Sequence, residues 1–585
     1  MDTTAREPVR IPPHRGETRT VLNGTALTVG ELTALADGEA VPTVAPEARE
    51  RATASWHTAR RLAAAGRLYG RGTGVGAQRS VPVGEGDEAA HGLRLLRSHA
   101  GGAGALLPVR QVRAMLAVRA NQLLAGGSGI QPAFIDALVD ALRLGVHPAV
   151  NEYGGVGTGD LTALAQTGLT IIGERPWSSA EPAEPGNVPG PGRDAEQGGP
   201  PRGAASAVGA DAGGEPAAVA RYGGAPAMHL VTLPGPASDS VYVPVSAPVP
   251  AATPVPGDTA AAPSTGLPAP VVLQPGDALA LLSSNALALG QAALAQRELD
   301  VLLRATHAVA ALSLAAVSGS PEAYAAPVHA LRPYPGAARA AGEVRRLLGL
   351  PDRPRRREGG RVQDPFGFRA FPQAHGCALD AADRLRDVIE AEVNCPSENP
   401  LMDSDGTSAY HHGGFFAAPL GLALDAANLA LLQTAQLSVA RLTALGDPGL
   451  TGLPPFLGAG PASSSGTMIL EYTANSALAE LRSGTAPASA GHAVLSRGLE
   501  EAASFAGQAA RQTSRATDAY AIVLACELVA AVRALRMRPI HSAALPPPAE
   551  VFAAAAAVLP AGTEDRPLTD DVTTAAELLP RLAGL

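Results

Sequence analysis

Apolar residues recur at helical spacing through most of this chain. In the carboxy-terminal half, the pattern predicts helices over 277–318, 376–394, 415–445, 465–482 and 497–535, and two short helices within 548–585. Nearer the amino terminus it predicts helices over 46–66, 87–99, 109–125 and 131–144, with glycine-rich breaks between them. Stretches of up to forty residues with alanine-rich faces are typical of a helical bundle. We therefore expect an all-α fold.

One long stretch lacks this pattern. From 176 to 270, proline, glycine, alanine and serine replace the large apolar residues. Such a segment buries too little apolar surface to offset the entropy lost on ordering, so we predict a disordered insertion. The chain then divides into a flexible amino terminus (1–27), a first region (28–175), the insertion (176–270), a central helical bundle (271–535) and carboxy-terminal helices (536–585).

Composition narrows the possible chemistry. All 45 basic residues are arginine, which excludes a Schiff base on a lysine amine. The net charge of −9, without an arginine-rich run that contains aromatic residues, argues against a nucleic-acid partner. The three cysteines lack metal-ligand spacing and cannot form a disulfide framework. We expect no bound metal and a cytoplasmic protein, since no signal core and no run of eighteen apolar residues is present.

A glycine-rich turn, Gly157-Thr158-Gly159-Asp160, has two interpretations. In one, Thr158 or Asp160 caps a helix that begins with the apolar run at 161–172. In the other, the Gly159 nitrogen attacks the Gly157 carbonyl, and loss of water leaves an imidazolone with an exocyclic double bond from Thr158. Glycine permits the tight backbone that this ring closure needs.

A series of motifs, in order along the chain, resembles the aromatic amino acid ammonia-lyase family, particularly its histidine branch. The matching residues are 69–76, 98–100, 119–121, 127–129, 155–161, 363–365, 369, 372–373, 394, 399–401, 452–457, 500–501 and 504. The resemblance implies a central helical bundle of the ammonia-lyase and fumarase–aspartase type. It also implies a homotetramer whose composite active sites lie at subunit junctions.

The same resemblance implies a mechanism for a small amino acid substrate, without metal or nucleotide. In the family, an Ala-Ser-Gly tripeptide cyclises into 4-methylideneimidazol-5-one (MIO), which activates the amino group of histidine, phenylalanine or tyrosine. A tyrosine then removes a β-proton, and ammonia leaves. A saturated carbon is too weakly acidic to lose that proton unless the substrate is first attached to an electron sink.

Five residues take site roles by this resemblance. Tyr69 matches the family's base and needs a lowered pKa to act near neutral pH. Arg369 matches the arginine that pairs with the substrate carboxylate, and Asn394 matches a second contact on that side. His99 matches the selector of the histidine branch, and Glu500 a glutamate that faces the imidazole. Outside this context, each is more often a structural or solvated residue.

The chain departs from the family around the tripeptide. One residue is missing, so Gly157-Thr158-Gly159 must supply the ring, and Thr158 adds a methyl to the exocyclic carbon. Ser283 replaces the asparagine that holds the ring, although Asn285 lies two positions on. Phe366 stands in place of a second active-site tyrosine, and Gly72 in place of an asparagine of the Tyr69 loop. Loss of one oxyanion-type donor typically costs about 3–4 kcal/mol of transition-state stabilisation.

Three functions therefore compete. The first is an ammonia-lyase or aminomutase that acts on histidine or a similar aromatic amino acid through a Thr158-derived electrophile. The second is an enzyme of the same architecture that lacks the prosthetic group and performs other acid–base chemistry in a secondary pathway. The third is a non-catalytic scaffold, against which the presence of Tyr69, Arg369 and Glu500 together argues. We prefer the first.

Overall fold

A computed structural model describes residues 18–66, 68–84, 86–179, 266–356, 358–538 and 545–585. These residues form one compact unit. Most of the predicted insertion and most of the predicted flexible terminus lie outside the described residues. The proposed division into regions stays a prediction.

The described residues are mostly helical. The helices are α1 (Val29–Asp37), α2 (Pro46–Ala65), α3 (Glu88–His99), α4 (Val109–Leu124), α5 (Pro132–Leu144), α6 (Leu161–Ile171), α7 (Asp277–Leu282), α8 (Ala286–Ala316), α9 (Ala326–Leu331), α10 (Pro335–Leu347), α11 (Phe366–Arg369), α12 (Phe371–Val393), α13 (Ala418–Leu445), α14 (Pro448–Thr451), α15 (Met468–Ser483), α16 (Ala506–Met537), α17 (Ala549–Val558) and α18 (Thr569–Leu582). Short 3-10 turns lie at Gly76–Gln78, Pro321–Tyr324, Pro455–Leu457, Ala488–Ala490 and Ser496–Gly498. The predicted all-α class is confirmed.

Strands are short and occur in pairs. They are β1 (Thr18–Leu22), β2 (Ala40–Val44), β3 (Ala103–Leu106), β4 (Val146–Pro148), β5 (Asn151–Tyr153), β6 (Trp177–Ser179), β7 (Leu401–Met402) and β8 (Ala409–Tyr410). The pair β1–β2 is parallel, with Thr18 opposite Ala40. The pairs β3–β5, β4–β6 and β7–β8 are antiparallel. Each pair joins two nearby segments between helices and does not form a larger sheet with its own core.

Three long helices form the centre of the bundle: α8 packs most extensively on α16, and α16 packs on α13. Their buried residues are mainly alanine and leucine, which allow helix axes to approach closely. The segment Asp277–Ala316 is long and apolar enough to cross a membrane, but 94% of its most apolar window is buried inside the protein. Most of this segment is α8, the core helix of the bundle.

A buried ion pair joins the three central helices. Arg441 of α13 donates to Glu527 of α16 through Nε at 2.6 Å and Nη2 at 2.7 Å, and both side chains have 0% exposure. Glu527 also accepts from Ser313 of α8 at 2.6 Å. The remaining Arg441 nitrogen donates to the carbonyl of Gly367 at 3.1 Å, which fixes α11 against the bundle.

Two predicted helices differ from the structure where the chain approaches the tripeptide. The predicted helix over 277–318 breaks at Ser283–Asn285 into α7 and α8. The predicted helix over 497–535 begins only at Ala506, because Arg497 and Phe505 adopt left-handed backbone with φ of 56° and 50°. Both breaks place polar side chains beside one cavity.

Candidate active site

A cavity of about 190 Å³ lies where the Tyr69 loop, the end of α3, the Gly-Thr-Gly turn, the α7–α8 break and the loop before α16 converge. Five of the predicted site residues line it: Tyr69, His99, Thr158, Ser283 and Glu500. Its other walls are largely apolar and include Leu95, Leu161, Leu279, Leu282 and Phe415. The structure thus brings together side chains that lie more than four hundred residues apart in the chain.

The Tyr69 loop is held by its glycines and by a buried arginine. Gly70 has φ of 71°, and a Cβ there would lie 2.2 Å from Leu279. Arg71 donates to the carbonyls of Pro275 and Gly129, each at 2.6 Å. The Tyr69 hydroxyl accepts from the backbone N–H of Gly76 at 2.7 Å. This fixes the phenol at the cavity wall.

The electrostatics at Tyr69 differ from the expected lowering. Burial raises the pKa of Tyr69, the bond from Gly76 opposes that rise, and the nearby charge of Glu500 adds to it. Arg79 acts in the lowering direction, but more weakly. The phenol is therefore protonated in the free protein near neutral pH. A role as base requires that substrate binding change its surroundings.

The tripeptide turn contacts two polar side chains from distant parts of the chain. The Ser504 hydroxyl donates to the Gly157 carbonyl at 2.9 Å, and the Gly159 N–H donates to Oδ1 of Asn285 at 3.1 Å. Gly157 and Gly159 have φ of 87° and 107°, values that favour glycine. Thr158 between them is only 7% exposed. Asn285, rather than Ser283, is the side chain that holds the turn.

The alternative interpretation of the turn as a helix cap does not describe it well. Asp160 stands at the start of α6, but neither its side chain nor that of Thr158 makes a capping bond to α6. The Asp160 carboxylate instead accepts from the backbone N–H of Ala288, in the first turn of α8, at 2.9 Å. Burial raises the pKa of Asp160 to about 6. The carboxylate joins the turn to the core helix.

Glu500 and His99 both line the cavity beside Thr158. Burial raises the pKa of Glu500, while the nearby Thr158 hydroxyl and the neighbouring His99 oppose the rise. Nδ1 of His99 lies 2.9 Å from the carbonyl of Leu95. Because a carbonyl only accepts, Nδ1 carries the proton in the neutral ring, and Nε2 remains an acceptor.

Comparison with known proteins decides the family. The model of the aromatic amino acid lyase family matches residues 27–188 and 254–557. Histidine ammonia-lyase of Anaeromyxobacter sp. strain K is 31% identical over 565 residues, which cover 96% of this chain and 98% of that protein. That of Sorangium cellulosum is 32% identical over 574 residues, which cover 96% and 97%. This chain belongs to the aromatic amino acid lyase family. The prediction of a carbon–nitrogen lyase, of the ammonia-lyase or aminomutase kind, is confirmed.

Solved structures of this lyase fold cover nearly the whole chain. Ergothionase from Treponema denticola aligns with a TM-score of 0.76 at 22% identity, over 97% of this chain and 100% of that one. Tyrosine aminomutase from Streptomyces globisporus aligns with a TM-score of 0.76 at 23% identity, over 97% of both chains. At these identities the likeness shows the fold alone. Among the described residues, no group of three or more His, Cys, Asp or Glu is arranged to hold a metal ion.

Asn394 does not line the cavity of this lyase. Its Oδ1 accepts from the Leu27 N–H at 2.7 Å, and its Nδ2 donates to the carbonyls of Leu27 and Glu390, each at 2.8 Å. These bonds tie the start of the chain to the end of α12. Asn399, five residues further on, lines the cavity instead. It belongs to the Asn-Pro-Leu match in the sequence, so that motif, rather than the match at Asn394, carries the signal for the cavity of one chain.

Arg369 and Phe366 also lie outside the cavity within one chain of the lyase. Phe366 on α11 is 61% exposed, and the Arg369 guanidinium lies 4.1 Å from the centre of its ring. Nε of Arg369 donates to the carbonyl of Asp364 at 2.9 Å, which leaves its Nη groups free to meet a carboxylate. The structure therefore groups the tripeptide with Tyr69, His99 and Glu500, and separates Arg369 from them.

Proposed function

We propose that this chain eliminates ammonia from histidine or a histidine-like amino acid through an electrophile formed from Gly157, Thr158 and Gly159. An aminomutase that returns the ammonia to the same substrate is the closely related variant. The observation that carries the proposal is the set of polar groups around the turn. The Gly159 N–H donates to Asn285, and the Gly157 carbonyl accepts from Ser504. The Glu500 carboxylate lines the same cavity as Thr158.

The residues present fit an MIO-type group. Ring closure needs a nucleophilic nitrogen, a polarised carbonyl and a hydroxyl that can leave. Asn285 hydrogen-bonds the nitrogen and Ser504 the carbonyl, and Glu500 lines the cavity beside the hydroxyl. Such a group supplies an electron-poor double bond that activates the substrate amine. Its formation expels two waters, one from ring closure and one from Thr158.

The polar pair at the cavity favours an imidazole side chain. A buried imidazole needs a partner for each ring nitrogen, because an unsatisfied polar group costs about 1–3 kcal/mol. A substrate imidazolium donates one N–H to the Glu500 carboxylate and the other to Nε2 of His99, which is an acceptor. The relatives at about 31% identity are histidine ammonia-lyases by name, which supports the same substrate class.

Substrate binding also changes the state of Tyr69. The negative charge of Glu500 raises the pKa of Tyr69 in the free protein. A substrate imidazolium that donates to Glu500 offsets this charge, so the pKa of Tyr69 falls when the site is filled. Tyr69 then takes the β-proton, as the family resemblance implies. The base is thereby activated mainly when its substrate is present.

The carboxylate of the substrate requires contacts from two sources. Asn399 offers an amide within the cavity, and Arg369 presents its guanidinium on the outer surface of the same chain. We propose a homotetramer in the cytoplasm, in which Arg369 of one copy reaches the cavity of another. This assembly brings a cation to the substrate carboxylate, since no arginine is among the described residues that line the cavity of one chain.

Intact-protein mass spectrometry tests the proposal. The wild-type mass should be lower than the sequence mass by two waters, both localised to residues 157–159, and L-histidine should yield ammonia and an α,β-unsaturated acid. Thr158→Ala, which has no hydroxyl to lose, should lose at most one water and release no ammonia. A full-length protein at its unmodified sequence mass that consumes no histidine would contradict the proposal.

One alternative keeps the turn intact. Tyr69, His99 and Glu500 line the cavity whether or not the ring forms, so they supply acid–base chemistry without it. The same mass measurement separates the two functions. An unmodified protein whose elimination activity still depends on Tyr69, as judged with Tyr69→Phe, would favour this alternative.

A further inference from the structure

We infer that Ser504 and Gly157 act as a matched pair that drives ring closure, with the Ser504 hydroxyl stabilising the charge that develops on the Gly157 carbonyl oxygen. The inference rests on the proposed function, because it concerns how the electrophile forms. It assigns Ser504 a positioning role in maturation of the protein, separate from the residues that meet the substrate.

Ser504 is buried and directed at the turn. It is 3% exposed, and its hydroxyl oxygen lies 2.9 Å from the Gly157 carbonyl oxygen. Its own acceptor capacity is used by the backbone N–H of Ala506 at 3.4 Å. A carbonyl only accepts, so the Ser504 proton is committed to Gly157.

The amino-terminal end of α16 strengthens this donor. Phe505 directs its backbone N–H to the carbonyl of Val156 at 2.8 Å, one residue before Gly157. Gln508 in the first turn donates to the carbonyl of Gly155 at 2.9 Å. Three successive carbonyls therefore face the positive end of a helix of 32 residues, which favours negative charge at this point.

Gly157 makes room for that hydroxyl. A Cβ at position 157 would lie 2.0 Å from the Ser504 oxygen, 2.8 Å from the backbone N of Phe505 and 3.1 Å from that of Ala506. The last two contacts are backbone atoms that cannot turn away. This explains why glycine stands where the family tripeptide begins with alanine: any side chain there would displace the donor.

The reaction that these groups assist is a condensation without oxidation. The Gly159 nitrogen bonds to the Gly157 carbonyl carbon, and the π electrons of that carbonyl move to its oxygen, where Ser504 donates. Oδ1 of Asn285 accepts the hydrogen bond of the Gly159 N–H and so orients the nitrogen for attack. The oxygen leaves as water with the protons of the Gly159 and Thr158 nitrogens, and a double bond forms between the Gly157 carbon and the Thr158 nitrogen. Thr158 then loses its hydroxyl and α-proton as a second water.

The rate of water loss in full-length protein tests the inference. Protein synthesised in a cell-free pulse is sampled over time, and the mass of residues 157–159 gives the fraction closed. Ser504→Ala should slow closure by about 10²–10³-fold, the usual effect of losing one oxyanion donor. Ser504→Thr, which keeps the hydroxyl, should restore most of the rate. Thr513→Val removes a buried hydroxyl on α16 that does not contact the turn, so its ring should close at the wild-type rate.

Gly157→Ala provides an independent measurement if Ser504→Ala fails to fold. It retains the hydroxyl but displaces it, and should therefore leave both waters in place while circular dichroism reports wild-type helix content. If Ser504→Ala closes as fast as wild type, the inference is wrong and the proposed function survives. If wild type itself retains both waters, the proposed function fails and the inference fails with it.

Discussion

Removing the charge of Glu527 should destabilise the whole bundle. Glu527 accepts two bonds from Arg441 and further bonds from Ser313 and Ser438, all at sites without solvent exposure. Glu527→Gln keeps the shape of the side chain but leaves Arg441 as an uncompensated buried charge. Breaking a buried ion pair in this way costs about 3–5 kcal/mol of unfolding free energy.

A second variant distinguishes the buried charge from simple loss of hydrogen bonds. Arg441→Met combined with Glu527→Gln removes the cation together with its partner, so it should be more stable than Glu527→Gln alone. The double variant still loses the bond from Arg441 to Gly367, and so does not return fully to wild type. This order of stability is specific to a desolvated charge.

Chemical denaturation followed by far-ultraviolet circular dichroism gives the comparison. All variants are measured at one fixed protein concentration, because the apparent stability of an oligomer depends on concentration. Asp383→Asn serves as the control, since its pairs with Arg339 and Arg386 are partly exposed, with side-chain exposures of 33% for Asp383 and 47% and 39% for the two arginines. Such pairs contribute about 1 kcal/mol or less. If Glu527→Gln is no less stable than this control, or if the double variant is the least stable of the three, the reasoning is refuted.

Two further predictions concern the site. Glu500→Gln removes the negative charge that raises the pKa of Tyr69. The rise of kcat/KM with pH, which reports deprotonation of the base, should therefore move to lower pH. A rise that stays at the wild-type pH would show that Tyr69 is not the base. Asn399→Ala should raise KM for the substrate by about tenfold, the loss of a hydrogen bond to a charged group, while Asn394→Ala should lower the denaturation midpoint and leave KM near wild type. Equal effects of both asparagine variants on KM would contradict the assignment.

The sequence was informative where a residue's chemistry and its motif agreed. Tyr69, Thr158 and Glu500 each belong to an ordered motif, and all three meet at one cavity. The helical pattern located the bundle for a similar reason, because burial of one apolar face imposes the period directly. The helical pattern therefore predicted the bundle, and the ordered motifs predicted much of the site.

Tertiary contacts decided what the sequence did not reveal. The residues before Ala506 are compatible with helix, but Phe505 leaves helical geometry and donates to Val156, a partner almost 350 residues away. Asn394 and Asn399 are chemically alike, and only their different neighbours separate a structural amide from one at the cavity. Asn285 reaches the turn because the helix breaks just before it.

The core helix α8 is synthesised long before the helix that it packs against most extensively. Residues 317–505 separate α8 from α16, its main packing partner, and ribosomes need about 10–40 s to synthesise that interval. Throughout this time α8, which belongs to a segment apolar enough to cross a lipid bilayer, lacks that partner. We expect the nascent protein to depend on chaperones that shield α8 until translation reaches the last long helix.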